Sequence, residues 1–219
     1  MPILPIDTPI MAKKYVHFKQ KNCFFWARFI TIFLIEVKTM KSENYFKEYI
    51  ATIPNFPKPG IMFRDITPTI ENAIVFKDCI DSLAEIAKKY DFNKIICADA
   101  RGFIFGAVLA YELEKDLITA RKPGKLPRPG FEFSYTLEYG KNTLLISEGS
   151  IKENDRVLVV DDLLATGGSA QAMIELVKMS KAIPVAALFY IELPELKGRE
   201  YIKKASGIPV HSLVQFEGE

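Results

Sequence analysis

The sequence predicts an α/β fold, a mostly parallel sheet flanked by helices. Three observations carry that reading. Short apolar runs, Ile95-Ile96-Cys97-Ala98 and Val157-Leu158-Val159-Val160 among them, suit strands buried on both faces. Longer segments with apolar residues at helical spacing separate those runs. The alternation of the two implies crossover connections, and crossovers make strands parallel. Such sheets bind ligands beyond the C-terminal ends of their strands. The loops leaving Ala98, Ala120 and Val160 are therefore the informative ones.

In chain order, Ser42 is placed to cap a short helix over Glu43 to Ala51. Ile53 to Gly60 holds three prolines and a glycine and reads as a stiff extended loop, because each proline fixes its own φ and restricts its predecessor. A helix is expected from Ala73 to Tyr90, with Phe76, Ile80, Leu83, Ile86 and Ala87 on one face. Lys94 to Ala98 reads as a buried strand and Phe105 to Glu114 as the helix after it. Leu117 to Ala120 is a second strand, and Thr143 to Ser147 an edge strand. Leu126 to Gly140, with Pro127, Pro129 and Gly130, is long and weakly patterned and reads as a mobile lid. Arg156 to Asp161 is the third buried strand, followed by a helix from Ser169 to Lys181. Pro184 to Ile191 and Val210 to Val214 complete the sheet.

The strongest chemical signal is Val157 to Met173, VLVVDDLLATGGSAQAM. A buried strand ends in two adjacent carboxylates, Asp161 and Asp162. Ala165, Thr166, Gly167, Gly168 and Ser169 then lead into a helix. Glycines let backbone approach a ligand closely, and a helix start presents free N–H groups to an anion. The loop lacks the lysine of a nucleoside-triphosphate P-loop and the spacing of a dinucleotide fingerprint. Carboxylates repel phosphate, so their place beside a phosphate cradle needs a reason. A ribose 5-phosphate supplies one: its phosphate takes the helix start, and its 2- and 3-hydroxyls donate to Asp161 and Asp162. Arg101, beside Gly102, can grip a pyrophosphate bidentately, and Arg121, Lys122 and Lys125 add positive charge on the next loop.

This stretch resembles the phosphoribosyl-pyrophosphate-binding motif of type I phosphoribosyltransferases. The wider chain is similar to the adenine phosphoribosyltransferases. The matching stretches include FPKPGIMFRDITP (Phe56 to Pro68), DARGFIFG (Asp99 to Gly106), RKPGKLP (Arg121 to Pro127), YTLEYG (Tyr135 to Gly140) and LKGRE (Leu196 to Glu200). Two departures are mild: Ser169 stands where threonine is common, and relatives vary between Asp and Glu at Asp99. The resemblance implies the type I phosphoribosyltransferase fold with an N-terminal hood and a mobile lid. It implies transfer of the phosphoribosyl group to adenine, giving AMP and pyrophosphate, with Mg²⁺, in a cytoplasmic homodimer. It places Glu138 and Arg101 in catalysis, Glu138 managing the purine proton, and Tyr139 over the pyrophosphate. Asp161 would meet the metal indirectly, through water and substrate. Backbone groups at Met62 and Arg64 would read the purine edge, between the ring of Phe63 and Leu163.

Length and charge add a boundary. At roughly 150 residues per domain, 219 residues are one domain with an excess. Residues 1–39 carry a net charge of +4 and residues 40–219 a net charge of −2, which the total of +2 conceals. We expect residues 1–39 to be an extension outside the fold, with translation starting at Met40, and residues 40–219 to be the phosphoribosyltransferase domain. Cys23 to Val37 is apolar but, at 15 residues broken by Arg28 and Glu36, too short for a span of about 20. A membrane-surface anchor through residues 23–37 is the lesser alternative. Three cysteines make neither a disulfide framework nor, lacking CxxC spacing, a zinc site. Neither His17 nor His211 is expected to be catalytic. Two other readings remain: a transferase for another purine or for orotate, and a regulator that senses phosphoribosyl pyrophosphate and binds nucleic acid. The acidic domain and the lack of a DNA-binding module count against the regulator, so no nucleic-acid partner is expected.

Overall fold

A computed structural model of the chain describes residues 40–137 and 140–217. The expectations for residues 1–39, and those for Glu138 and Tyr139, lie outside the described residues.

Five parallel strands form the central sheet in the order β4-β3-β7-β8-β9: β3 (Lys94–Ala98), β4 (Asp116–Ala120), β7 (Arg156–Leu164), β8 (Ile183–Glu192) and β9 (Val210–Gln215). β3 and β7 are buried almost throughout, which is why they read as continuous apolar runs. Their side chains alternate between two cores. Ile95, Leu158, Val160 and Leu188 join one, under α3 (Ala73–Ala87) and α4 (Gly102–Glu112). Ile96, Val157, Val159 and Ala187 join the other, under α5 (Gly168–Met179) and α6 (Gly198–Ser206).

The chain moves outward from β3 to β4 on one side of the sheet and from β7 through β8 to β9 on the other. The direction of winding thus reverses between β3 and β7, where an open α/β sheet leaves a crevice for ligands. β3 stops pairing at Cys97↔Val160, while β7 continues beside β8 to Leu164↔Glu192. Asp161 thus lies level with Ala98, the last residue of β3, and Asp162 to Leu164 project past it.

Several elements differ from the sequence expectation. The first helix, α1 (Glu43–Lys47), is shorter, because Ala51 already enters β1 (Ala51–Pro54), which pairs antiparallel with β2 (Met62–Asp65). The expected stiff loop is thus partly strand: Pro54 ends β1, and Pro57 and Pro59 sit in the connection of the hairpin. A short helix, α2 (Thr67–Glu71), begins with Pro68 in its first turn. α3 ends at Ala87 rather than Tyr90, and Asn72 caps its start by accepting from Ile74 and Val75 N–H. α4 begins at Gly102, three residues early. Thr143 to Ser147 is not an edge of the main sheet: it belongs to β6 (Gly140–Ser147), which pairs with β5 (Gly130–Leu137) in a separate antiparallel hairpin. The segment read as an unpatterned lid is therefore largely strand. Phe131, Phe133 and Tyr135 of β5 pack on the second core.

Candidate active site

The crevice between β3 and β7 opens into a cavity of about 480 Å³. Three segments build most of it: the loop after β3, the end of β7, and the turn from Ala165 into α5. At that turn Gly167 adopts φ +83°, a conformation that only glycine takes without strain. No side chain caps α5. Its first N–H groups are left without helical acceptors and form the cavity wall, which makes an anion seat. Ser169 accompanies them, with its hydroxyl 2.9 Å from the Tyr135 hydroxyl of β5.

Asp161 and Asp162 are 8% and 5% exposed, yet both line the cavity. Asp161 accepts from the Asp162 N–H at 3.0 Å. Gly102 presses against the Asp161 carboxylate so closely that a Cβ would collide with it, which explains the glycine. Burial, reinforced by the neighbouring charge of Asp162, pushes the Asp161 carboxyl well above its ordinary range. Burial raises Asp162 too, with Arg101 opposing. The Arg101 Nε lies 2.8 Å from the Asp162 Oδ2 but off the line of a hydrogen bond, leaving that buried oxygen unsatisfied. The Arg101 guanidinium also sits 5.3 Å from the ring centre of Phe63.

The cavity gathers Arg101, Lys122, Asp161, Asp162, Leu163 and the whole run Ala165 to Ser169. Arg121 and Lys125 stand outside its lining. Arg121 turns its Nε to Asp99 Oδ2 at 3.4 Å and its guanidinium over Phe103, and Lys125 is exposed on the same turn. Met62 and Phe63 are half-buried on β2, Phe63 facing Arg101. None of Met62, Phe63 and Arg64 lines the cavity, and the Arg64 side chain turns away to stack on Phe216. Glu138 and Tyr139 are outside the described residues. Sequence reasoning missed Asp99 and Tyr135. Asp99 accepts from the Lys122 N–H at 3.3 Å and keeps its buried Oδ1 unpaired. The alternation of Phe131, Phe133 and Tyr135 was the signal for Tyr135.

Residues 70–215 match the phosphoribosyl transferase domain family. The adenine phosphoribosyltransferase of Psychromonas ingrahamii is 49% identical over 173 residues, covering 79% of this chain and 95% of that one. The chain belongs to the adenine phosphoribosyltransferase family. Its fold matches the family's solved structures. The adenine phosphoribosyltransferase of Thermoanaerobacter pseudethanolicus superposes with a TM-score of 0.76 at 42% identity, over 80% of this chain and all of the other. The enzyme of Saccharomyces cerevisiae, solved with an imino-altritol bisphosphate and adenine, gives 0.72 at 36% identity, over 78% and 97%.

Among the described residues no cluster of three or more His, Cys, Asp or Glu could hold a metal by itself. Two buried carboxylates beside an anion seat, one with an unsatisfied oxygen, do fit Mg²⁺, which is commonly held by one or two carboxylates together with substrate oxygens and water.

Proposed function

We propose that the chain transfers the 5-phosphoribosyl group of phosphoribosyl pyrophosphate to adenine, giving AMP and pyrophosphate, a purine-salvage reaction. The observation that carries this reading is one cavity holding both an uncapped glycine-turn helix start and two buried carboxylates, with an Asp162 oxygen left unsatisfied. A phosphate alone has no use for the carboxylates. A sugar phosphate uses both halves: its 5-phosphate meets the α5 N–H groups with Thr166 and Ser169, and its ring hydroxyls donate to Asp161 and Asp162.

In the reaction the bond from the anomeric carbon to pyrophosphate breaks, the leaving group keeping the electron pair, and adenine N9 bonds to that carbon. The N9 proton passes to a base, the role we assign to Glu138. Positive charge builds on the sugar and negative charge on the leaving group. Arg101, held beside Asp162 and Phe63, and the backbone N–H groups of the loop after β3 stand ready to stabilise that charge with little reorganisation, and Lys122 adds positive charge at the cavity. Arg121, through Asp99, holds the basic loop in place. Lys125 and Tyr139 would cover the pyrophosphate, which excludes water. Asp161 would hold Mg²⁺ indirectly, through water and substrate, and the ion would supply further charge neutralisation. Adenine would lie between Phe63 and Leu163, with Met62 and Arg64 backbone groups reading its edge. A 6-oxo purine would leave those groups mispaired.

Pyrophosphate release measured across a purine panel tests the reading. Activity with adenine is expected, and activity with guanine but not adenine would overturn it.

The chain is further proposed to act as a homodimer. α4 is apolar on all sides, and among the described residues one side is left uncovered: Tyr111 is 86% exposed, and Ile104 and Val108 are exposed beside it. Sedimentation should give twice the mass of the chain, and a fully active monomer would refute the dimer. A cytoplasmic setting agrees with Cys79 and Cys97, both buried free thiols, and cell fractionation checks it.

A further inference from the structure

The LKGRE stretch, Leu196 to Glu200, contributes nothing to the cavity lining, yet it touches the phosphate seat from behind. α6 starts at Gly198, and this glycine packs directly under the Ala165–Gly167 turn. A Cβ at Gly198 would overlap the Ala165 carbonyl oxygen, stand 2.9 Å from a Leu164 methyl and lie 3.0 Å from the Gly167 nitrogen. The fit is reciprocal: a Cβ at Gly167 would meet the Gly198 carbonyl oxygen at 2.9 Å. Two backbones are therefore in contact at the point where the phosphate-binding turn bends.

Arg199 fixes the start of α6 against the sheet. Its Nε donates to Glu192 Oε1 at 2.8 Å, and its Nη2 donates to Glu192 Oε2 and, at 3.1 Å, to Ser212 Oγ. Its Nη1 donates to the Val210 carbonyl. Glu192, 2% exposed at the end of β8, also accepts from Ser212 and Gln215. Glu192 lies opposite Leu164 in the β7–β8 register, immediately before the turn. The clamp thus ties α6 to the same strand ends from which the phosphate turn departs.

We propose that Gly198 and Arg199 are positioning residues for the sugar 5-phosphate. Arg199 pins the α6 start through the planar fork it shares with Glu192, and Gly198 then sets the height of the Ala165–Gly167 turn relative to the α5 N–H groups. Neither touches substrate. A displacement of well under 1 Å at this turn would spoil several hydrogen bonds to one phosphate together, and small misplacements of binding groups are costly. Lysine cannot replace Arg199, because it lacks the two-pronged geometry.

The proposal rests on the phosphoribosyl reading, and the test separates the two. The 5-phosphate is common to phosphoribosyl pyrophosphate and AMP and absent from adenine and pyrophosphate. Steady-state constants for all four, in the forward and reverse directions, are measured for the full chain and for Gly198→Ala and Arg199→Lys. The KM for phosphoribosyl pyrophosphate and that for AMP should both rise about tenfold or more, while those for adenine and pyrophosphate stay within about twofold. Arg199→Lys keeps the charge and leaves Gly198 in place, so it should show the same split in weaker form and remains informative where Gly198→Ala folds poorly. Four unchanged constants, or four that move together in step with a falling melting temperature, would overturn the proposal. An unsubstituted chain inactive with adenine and phosphoribosyl pyrophosphate would overturn the underlying reading instead.

Discussion

Two neighbouring parallel strands, β7 and β8, each end in buried carboxylates, and the two ends are built on opposite plans. At the end of β8, Glu192 is saturated: a guanidinium fork, a hydroxyl and an amide all donate to it. Burial alone would raise its pKa, but those donors outweigh burial and leave it below its ordinary value. At the end of β7, burial dominates, and Asp161 and Asp162 are both raised. An Asp162 oxygen stays unsatisfied although Arg101 stands beside it. The difference separates a carboxylate that holds the fold from the pair we propose for the sugar hydroxyls. Buried polar groups are normally satisfied, so the ones left short of partners mark where something else is meant to bind.

The largest expected effect comes from removing the ligand-facing charges. Asp161→Asn or Asp162→Asn should lower turnover with adenine by at least about a hundredfold, the scale of losing a preorganised polar contact. Asp161→Asn should at the same time raise the melting temperature at pH 7 by about 2–4 °C, the shift that ~1 kcal/mol gives in a chain of this size. The direction follows from the raised carboxyl: the folded state binds a proton more readily than the unfolded state, so stability falls as pH rises through the elevated pKa, and at neutral pH the folded chain bears the cost. Calorimetry and pyrophosphate release on one preparation check both. A variant that keeps its activity would erase the distinction between the two strand ends.

Glu192→Gln should behave in the reverse manner. Removing one partner of a fully buried pair costs about 3–5 kcal/mol, and because Arg199 remains 34% exposed we expect a loss of roughly 2–3 kcal/mol by denaturant titration. Its smaller signature lies in the acid range. Stability from a depressed Glu192 is present above the unfolded value of 4.5 and is lost as pH falls through the folded one. The acid-induced drop in melting temperature should therefore be flatter in Glu192→Gln than in the unsubstituted chain. An equally steep drop would show that Glu192 titrates as though unpartnered.

The ligand-facing end was legible in the sequence and the structural end was not, for physical reasons. β7 announces itself because a strand buried on both faces must be apolar throughout, and a glycine turn running into a helix has few other uses. Arg199 and Glu192 give no local signal, since their significance is a pairing between β8 and α6 that only the fold creates. α6 buries little beyond Gly198 and Ile202, so its composition reads as surface. The β5–β6 hairpin was hidden by Pro127, Pro129 and Gly130, which suggest irregular chain, although Phe131, Phe133 and Tyr135 keep the period of two. Arg101 lines the cavity, but its contact with Asp162 depends on β7 projecting past β3.

That projection has a consequence for how the chain acquires its activity. The binding crevice exists only where β7 lies between β3 and β8, and β3 reaches β7 only after α4, β4 and the whole hairpin have been spanned. Pairings so distant along the chain carry a loop-closure cost and form late in folding. A fragment ending before β7 therefore lacks the carboxylates and the glycine turn altogether, and the crevice exists only once β7 has docked beside β3.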